Sequence, residues 1–516
     1  MLSSLPSPLP KLTPTDPSVD RRVEGNRDDV LGPRRRVHLI GIGGQGMRSL
    51  ARLLKAARWQ VSGSDQTDAD VANWKAAGIT VHSGHAAENI PTDVDEVVYS
   101  GAVPDDNAEL FAARQQGIPT YSYAEMVGRV TASRDLIAVA GTHGKSTTTA
   151  MVAEILIRAQ FDPTVICGAE PVVPEDVTDG EKTGDAKSDH DPAFRQSGRF
   201  GRSTVAVAEA CEYRRHFLEL RPRWAAITGM EPDHFDCYRS VDELATAFAQ
   251  FAAFVHHDGV LLVPAHCLAT TAMLDRQNTA ARIETFSDAD QIDGNGNSSA
   301  ADWQARDLTE QGGCYQFLLE HRGRQVAKVR LQVFGRHNVR NALVAAAMAH
   351  HAGASFEGIQ AGLAAFGGIR RRLEPVDEVR GISIWTDYAH HPTEISASLA
   401  ALRQKFPNRR ICVIFQPHQE SRTRHLLDPL ARSLKDADIV AVTEIFRARE
   451  SSDHPPLVTA ADLATAVRQL GTSTLSDHDL DRIKQRLAET CRPGDVLVTM
   501  GAGDLAAECH EYTDWI

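Results

Sequence analysis

The sequence predicts an α/β protein of three successive domains: N-terminal Rossmann-like, a central P-loop ATPase-like parallel sheet, and C-terminal Rossmann-like, after a disordered N-terminal tail. Two glycine loops, GIGGQG (Gly41–Gly46) and GTHGKS (Gly141–Ser146), each follow a short apolar run and precede a segment with helical spacing. Elsewhere, apolar runs of strand length alternate with helix-length segments, the pattern of doubly wound parallel sheets. A chain of 516 residues with 42% hydrophobic content is also too long for one core.

Residues 1–34 are rich in Pro, Ser, Asp and Arg and are expected to form the tail. The first domain spans 35–133. Val37–Ile40 reads as a strand feeding the first glycine loop, and the helical stretch from Met47 follows. Strands at Trp59–Gly63, around Ile79 and at Glu96–Ser100 come next, with a helix around Leu110–Gln116. The second domain spans 134–368. Asp135–Ala140 is its first strand, followed by the second loop and the helix TTTAMVAEILIRA. Strands are expected at Ser203–Ala208, Trp224–Thr228 and Gly259–Val263, with a helix over Asn341–His351. Residues 170–202 are dense in Asp, Lys, Gly and Ser and read as an insertion loop. The third domain, 369–516, has strand-like runs at Ile382–Trp385, Arg410–Phe415, Ile439–Val442 and Val496–Thr499.

A formal net charge of -13 argues against non-specific binding to nucleic acid or an anionic membrane. The eight cysteines are scattered with no CxxC pair, so no zinc ribbon or dithiol motif is indicated, and reduced thiols are expected. No apolar run reaches membrane-spanning length, and no signal-peptide h-region is present. The expected location is cytoplasmic.

In the first loop, Gly41, Gly43, Gly44 and Gly46 let the backbone approach a phosphate at a helix N-terminus. Asp65 stands where a dinucleotide fold places its ribose-binding acid. Taken alone, this domain would suit a dehydrogenase, and a tight turn needing glycine only for packing would look the same. The second loop is more specific. Its backbone N–H groups can wrap phosphates, Lys145 can neutralise their charge, and the Ser146 hydroxyl can ligate magnesium. It is two residues shorter than the Walker spacing, with Val139 where that pattern has its first glycine. Glu209 and Glu212 follow one central strand; Glu231, Asp233, His234 and Asp236 follow another. Both sets are expected at the carboxyl edge of the sheet, and oxygen ligands with one imidazole suit magnesium beside ATP. On the plainer alternative, Asp233 and His234 merely cap the next helix.

The motifs GTHGKS, EACEY, EPDHFD, GRHNVRNALVAA, DYAHHPTEI and FQPH occur in that order. In order and spacing they closely resemble the Mur ligase family of peptidoglycan synthesis, over about Arg36 to Asp504. GIGGQGM, YSGAVPDDNAEL and VLVTMGAGDL are most similar to the branch that joins L-alanine to UDP-N-acetylmuramate. The resemblance implies an ATP- and magnesium-dependent ligase of cell wall biogenesis, serving cell shape and division, with UDP-N-acetylmuramate and L-alanine as partners. A monomer or weak homodimer is the expectation, although the sequence does not reveal the oligomeric state. It places Gly43, Gly44, Gly46 and Met47 at the uridine diphosphate, with Asp65 and Ser100 nearby. Gly141, Thr142, His143, Gly144, Lys145, Ser146 and Thr147 hold the ATP phosphates. His337, Asn338 and Asn341 flank adenine. Ser146, Glu209 and His234 ligate the metal. Lys145, His234 and Arg372 carry catalysis, and Asp387, Tyr388, His390, His391 and His418 face the substrates. The lactyl carboxylate would attack the ATP γ-phosphate, and alanine the resulting acyl phosphate.

Departures from the family pattern are Cys211 where an acid is common, Gly229 where Asn is usual, and Gln419 where Arg is common. No Lys lies between Arg223 and Pro264, so the carbamylated lysine of some members, with its second magnesium, is not expected. A murein-peptide recycling ligase of the same family and a degenerate nucleotide-binding scaffold are the alternatives. Folylpolyglutamate synthetase would not need the first domain.

Overall fold

The computed structural model describes residues 35–505, except 67–70, 173–193, 289–300, 451–455 and the single positions 239, 266, 277, 449 and 478. The expected tail, and most of the expected insertion, therefore lie outside the described residues. Three separate sheets follow one another along the chain.

The first sheet is built from β1 (Arg36–Ile40), β2 (Gln60–Asp65), β3 (Thr80–Ser83), β4 (Glu96–Tyr99) and β5 (Thr120–Ser122). Its order is β3-β2-β1-β4-β5 with every pair parallel. Strand order reverses beside β1, so the glycine loop after Ile40 opens at a topological switch point, where such sheets bind ligands. The helix Gln45–Ala56 packs an apolar stripe, with Met47, Leu50, Leu53 and Leu54 buried.

The second sheet has ten strands: β6 (Asp135–Ala140), β7 (Thr164–Ile166), β8 (Gly198–Arg199), β9 (Val205–Glu209), β10 (Trp224–Ile227), β11 (Val260–Pro264), β12 (Arg282–Ser287), β13 (Trp303–Gln311), β14 (Cys314–His321) and β15 (Arg324–Phe334). Its order is β15-β14-β13-β12-β11-β10-β6-β9-β7-β8. β6, with the P-loop at its end, lies between β9 and β10, so both acidic motifs emerge beside that loop. The sheet is parallel from β13 through β12, β11, β10, β6 and β9 to β7, as expected, and antiparallel strands extend it at both ends. β13, β14 and β15 form antiparallel hairpins, and β8 runs antiparallel to β7. The turns at Gly312–Gly313 and Arg322–Gly323 adopt positive φ, which fits two-residue hairpin connections.

The third sheet, β16 (Glu374–Val379), β17 (Ile382–Asp387), β18 (Ile411–Phe415), β19 (Ile439–Val442), β20 (Ser473–Ser476) and β21 (Val496–Met500), has the order β16-β17-β21-β18-β19-β20. It is parallel except for edge strand β16. Its central strands β18, β19 and β21 are buried along their whole length, as strands covered on both faces must be. No helix among the described residues is long and apolar enough to cross a membrane. The described cysteines are all free thiols.

Candidate active site

Gly144 ends the P-loop with φ 77, and a Cβ there would collide with the Asn341 side chain, so glycine is required. The helix Lys145–Arg158 starts at the next residue. Lys145 Nζ donates to Gly141 O at 2.7 Å and Thr142 O at 3.1 Å, and lies 3.0 Å from Glu212 Oε2. Burial opposes the lysine charge, but Glu212 outweighs it and holds the ammonium above its ordinary value. The buried Glu212 carboxyl is held low in turn, against its burial, by Lys145 and then His234, whose Nε2 is 3.4 Å away. His234 sits at φ 54, a left-handed conformation costly for a non-glycine residue and typical of functional sites.

Ser146 Oγ donates to Glu209 Oε2 at 2.8 Å, and that oxygen also accepts the Gly168 N–H at 2.9 Å. Glu209 is the last residue of β9. Ser146, Glu209 and His234 line one cavity of about 900 Å³. Two oxygen donors in contact, with an imidazole across the same space, fit a hard divalent cation. Cys211 lines this cavity too; burial, then Glu212, pushes its thiol up to about 12, so it is neutral at pH 7. Glu212, which the sequence placed only in an acidic group, is the counter-ion of the P-loop lysine.

Gly44, Gly46, Met47 and Ser100 of the first domain line the same cavity. Asp65 is not among the residues lining it; its Oδ2 accepts the Gly43 N–H at 2.8 Å and so fixes the turn. Tyr123, missed in the sequence, packs so closely on Gly46 that a Cβ there would lie 2.8 Å from its ring.

A second cavity of about 340 Å³ opens on the other side of the P-loop and shares His143, Gly144, Thr147, Arg372 and Glu394 with the first. His337, Asn338 and Asn341 line it. Asn341 accepts from Thr148 Oγ1 at 3.3 Å and donates to Asn338 at 2.9 Å, tying this helix to the P-loop helix. Burial, helped by nearby Arg372, lowers His337 to about 4, leaving a neutral ring.

The third domain closes over both cavities. Arg372 donates to Glu394 at 3.2 Å, and Tyr388, His390 and His418 line the larger cavity. Burial lowers His390 to about 4. Asp387 lines the smaller cavity, and its buried carboxyl also accepts from Leu373 N, Ala389 N and Ser398 Oγ at 3.0, 2.6 and 3.1 Å, which fixes the turn after β17. Asp233 is not merely a helix cap. It pairs with Arg422 of the third domain at 2.7 Å, with both side chains buried. Arg422 also donates to His418 Nδ1 at 2.9 Å, which makes that nitrogen an acceptor. Gln419 is buried at φ 69, and Arg422, three residues on, is one of the arginines that line this cavity. Thr393 Oγ1 donates to Glu231 at 2.5 Å and His391 caps the helix Pro392–Lys405. Glu394, the last acid of DYAHHPTEI, and Arg422, just beyond FQPH, escaped the sequence reading; each has one partner in the second domain, His143 and Asp233.

The chain matches three family models: "Mur ligase family, catalytic domain" over 36–135, "Mur ligase middle domain" over 139–349 and "Mur ligase, glutamate ligase domain" over 371–503. It is 38% identical to the UDP-N-acetylmuramate–L-alanine ligase of Salinibacter ruber, covering 92% of this chain and 94% of that protein. The enzyme of that name from Agathobacter rectalis is 36% identical, covering 91% and 95%. Among solved structures, UDP-N-acetylmuramate-alanine ligase from Thermotoga maritima superposes with a TM-score of 0.71 at 24% identity, covering 93% of this chain and 98% of that one. A murein peptide ligase from Psychrobacter arcticus gives 0.68 at 27%, with the same coverage.

Proposed function

The chain belongs to the Mur ligase family of ATP-dependent ligases, and from that premise we propose that it joins L-alanine to the lactyl carboxylate of UDP-N-acetylmuramate in peptidoglycan precursor synthesis. The observation that carries this reading is the single cavity lined from all three domains, by Gly46 and Ser100, by Lys145 and Glu209, and by Arg372 and His418. A ligase that brings together a sugar nucleotide, ATP and an amine needs such a confluence.

In this reading the domains run 35–133, 134–368 and 369–516. Gly44, Gly46, Met47 and Ser100 face the uridine diphosphate, with Gly43 and Asp65 setting the turn. The backbone of Gly141–Thr147 wraps the ATP phosphates, and His337, Asn338 and Asn341 flank the base. Ser146, Glu209 and His234 would hold magnesium, which neutralises phosphate charge when bound. The lactyl carboxylate attacks the γ-phosphorus, ADP leaves, and an acyl phosphate forms. The alanine amine then attacks the carbonyl, and phosphate departs from the tetrahedral intermediate. Lys145 and Arg372 align and neutralise the transferring group, Arg372 leaving Glu394 to do so. Tyr388, His390, His391 and His418 stand at the closing face, and the Arg422–Asp233 contact keeps water from the acyl phosphate. ATP and a nucleotide sugar as substrates fit a cytoplasmic site of action.

With labelled oxygen in the lactyl carboxylate, one labelled atom per turnover is expected in the released phosphate. Unlabelled phosphate would overturn the acyl-phosphate route. The likeness to the murein peptide ligase keeps a peptide amine as the second reading.

A further inference from the structure

His143, Glu231 and His391 come from three separate motifs and meet at the seam between the P-loop and the third domain. His143 Nε2 is 3.6 Å from Glu231 Oε2, and His391 Nδ1 is 3.7 Å from the same oxygen. The three ligand atoms all lie within 4.8 Å of one another. Donors in a tetrahedral zinc site stand about 3.4 Å apart, given metal–ligand bonds of about 2.0–2.2 Å. Shifts of a few tenths of an ångström would bring both Glu231 contacts to that spacing.

The second nitrogen of each ring strengthens the case. His143 Nδ1 faces Glu394 Oε1 at 3.3 Å, and His391 Nε2 faces the Pro232 carbonyl at 3.3 Å. The Pro232 carbonyl accepts from His391 Nε2, and the Thr393 N–H points at His391 Nδ1, so the His391 lone pair is on the inner nitrogen; His143 lies between the Glu394 and Glu231 carboxylates, and an ion bound there takes the place of the proton between His143 Nε2 and Glu231. This is the arrangement that orients histidines for a metal. His143 Nε2 is buried without a hydrogen-bond partner among the described residues, and Thr393 Oγ1 donates to Glu231, fixing the carboxylate as well. His391 Nδ1 gives up only a 3.4 Å contact from Thr393 N–H. Two other clusters lack these features. His256, His257 and Asp258 are consecutive and largely exposed, and Asp495 beside Cys412 and Cys491 is already taken by Arg410 at 2.6 Å.

We infer that His143, Glu231 and His391 form a binding site for a zinc-type divalent transition metal. Its nitrogen donors belong to two different domains, so a bound ion bridges the P-loop to the third domain and opposes reopening. The site is separate from the oxygen-rich one at Ser146 and Glu209. The binding claim stands by itself; the claim that zinc slows turnover rests on the ligase reading.

Cobalt(II) titrated into the full chain without nucleotide is the direct probe. A saturable visible spectrum of tetrahedral cobalt, displaced by zinc, is expected. His391→Ala and Glu231→Gln should weaken binding at least ~10–100-fold, and Glu394→Gln, which removes an outer partner, ~10-fold. His257→Ala should titrate as wild type. Glu231 is partly exposed, so Glu231→Gln keeps the test open if His391→Ala misfolds. Absence of the tetrahedral spectrum, or its survival in both His391→Ala and Glu231→Gln, would overturn the site. Under saturating magnesium and ATP, zinc should slow turnover, with a concentration dependence shifted at least ~10-fold upward in Glu231→Gln. Equal inhibition of both proteins would overturn the bridging role. The cobalt spectrum needs no turnover, so its failure is distinguishable from failure of the ligase reading.

Discussion

Lys145 Nζ lies 3.0 Å from Glu212 Oε2, and the glutamate side chain is almost completely buried. Removing one member of a buried ion pair leaves the other uncompensated, at about 3–5 kcal/mol. Lys145→Met should therefore lower stability by roughly that amount in urea unfolding, and kcat by about 10²–10³-fold, as for loss of a charge-stabilising donor. Adding Glu212→Gln should recover most of the stability and none of the rate. Retained turnover in Lys145→Met would sink the P-loop assignment.

Arg422 reaches across the domain seam to Asp233, whose carboxyl is held well below the usual range, against its burial, by His234 and Arg422. Arg422→Ala should loosen the third domain. A larger radius of gyration by small-angle scattering and a lower kcat are expected, at a cost of about 3–5 kcal/mol. Unchanged scattering and rate would mean the pair is not a latch.

Glu109 gives a pH prediction distant from the P-loop. Its carboxylate accepts from Ser64 Oγ and Asn89 Nδ2, each at 2.5 Å, and lies 3.5 Å from His38 Nε2. Burial pushes it up, but His38, Ser64 and Asn89 prevail and lower it from 4.5 to about 2. A depressed folded-state value adds stability that is fully present above pH 4.5 and lost as pH falls toward 2. This contribution amounts to about 3 kcal/mol. Urea midpoints between pH 6 and 3 should fall steeply for wild type and less steeply for Glu109→Gln; equal slopes would contradict the network.

Two departures from the family pattern should be reversible. A Cβ at Gly229 meets nothing within 4 Å, and its φ is not left-handed. Gly229→Asn should fold with stability within about 0.5 kcal/mol of wild type and keep ATP affinity. Cys211 lies beside, rather than among, Ser146, Glu209 and His234, so Cys211→Asp should keep turnover within about tenfold. Collapse of activity in the latter would assign Cys211 a specific role.

Sequence-local features were the legible ones. The glycine loop at Gly41–Gly46 and the P-loop at Gly141–Ser146 need particular residues at fixed spacing, so they could be read, and with them the strand before and the helix after. The hairpins β13–β15 were not read, although Gly312–Gly313 between alternating runs was an available signal. Roles set by tertiary partners stayed hidden. The bonds by which Asp65 and Asp387 accept backbone N–H groups could not be read from sequence. Glu394 and Arg422 each gain one partner, His143 and Asp233, only when two domains meet.

The central claim is tested most directly by phosphate release from ATP with magnesium, UDP-N-acetylmuramate and each amino acid in turn. Release that requires both the sugar nucleotide and L-alanine is predicted. Release with a murein peptide but with no single amino acid, or no release under any condition, would contradict it.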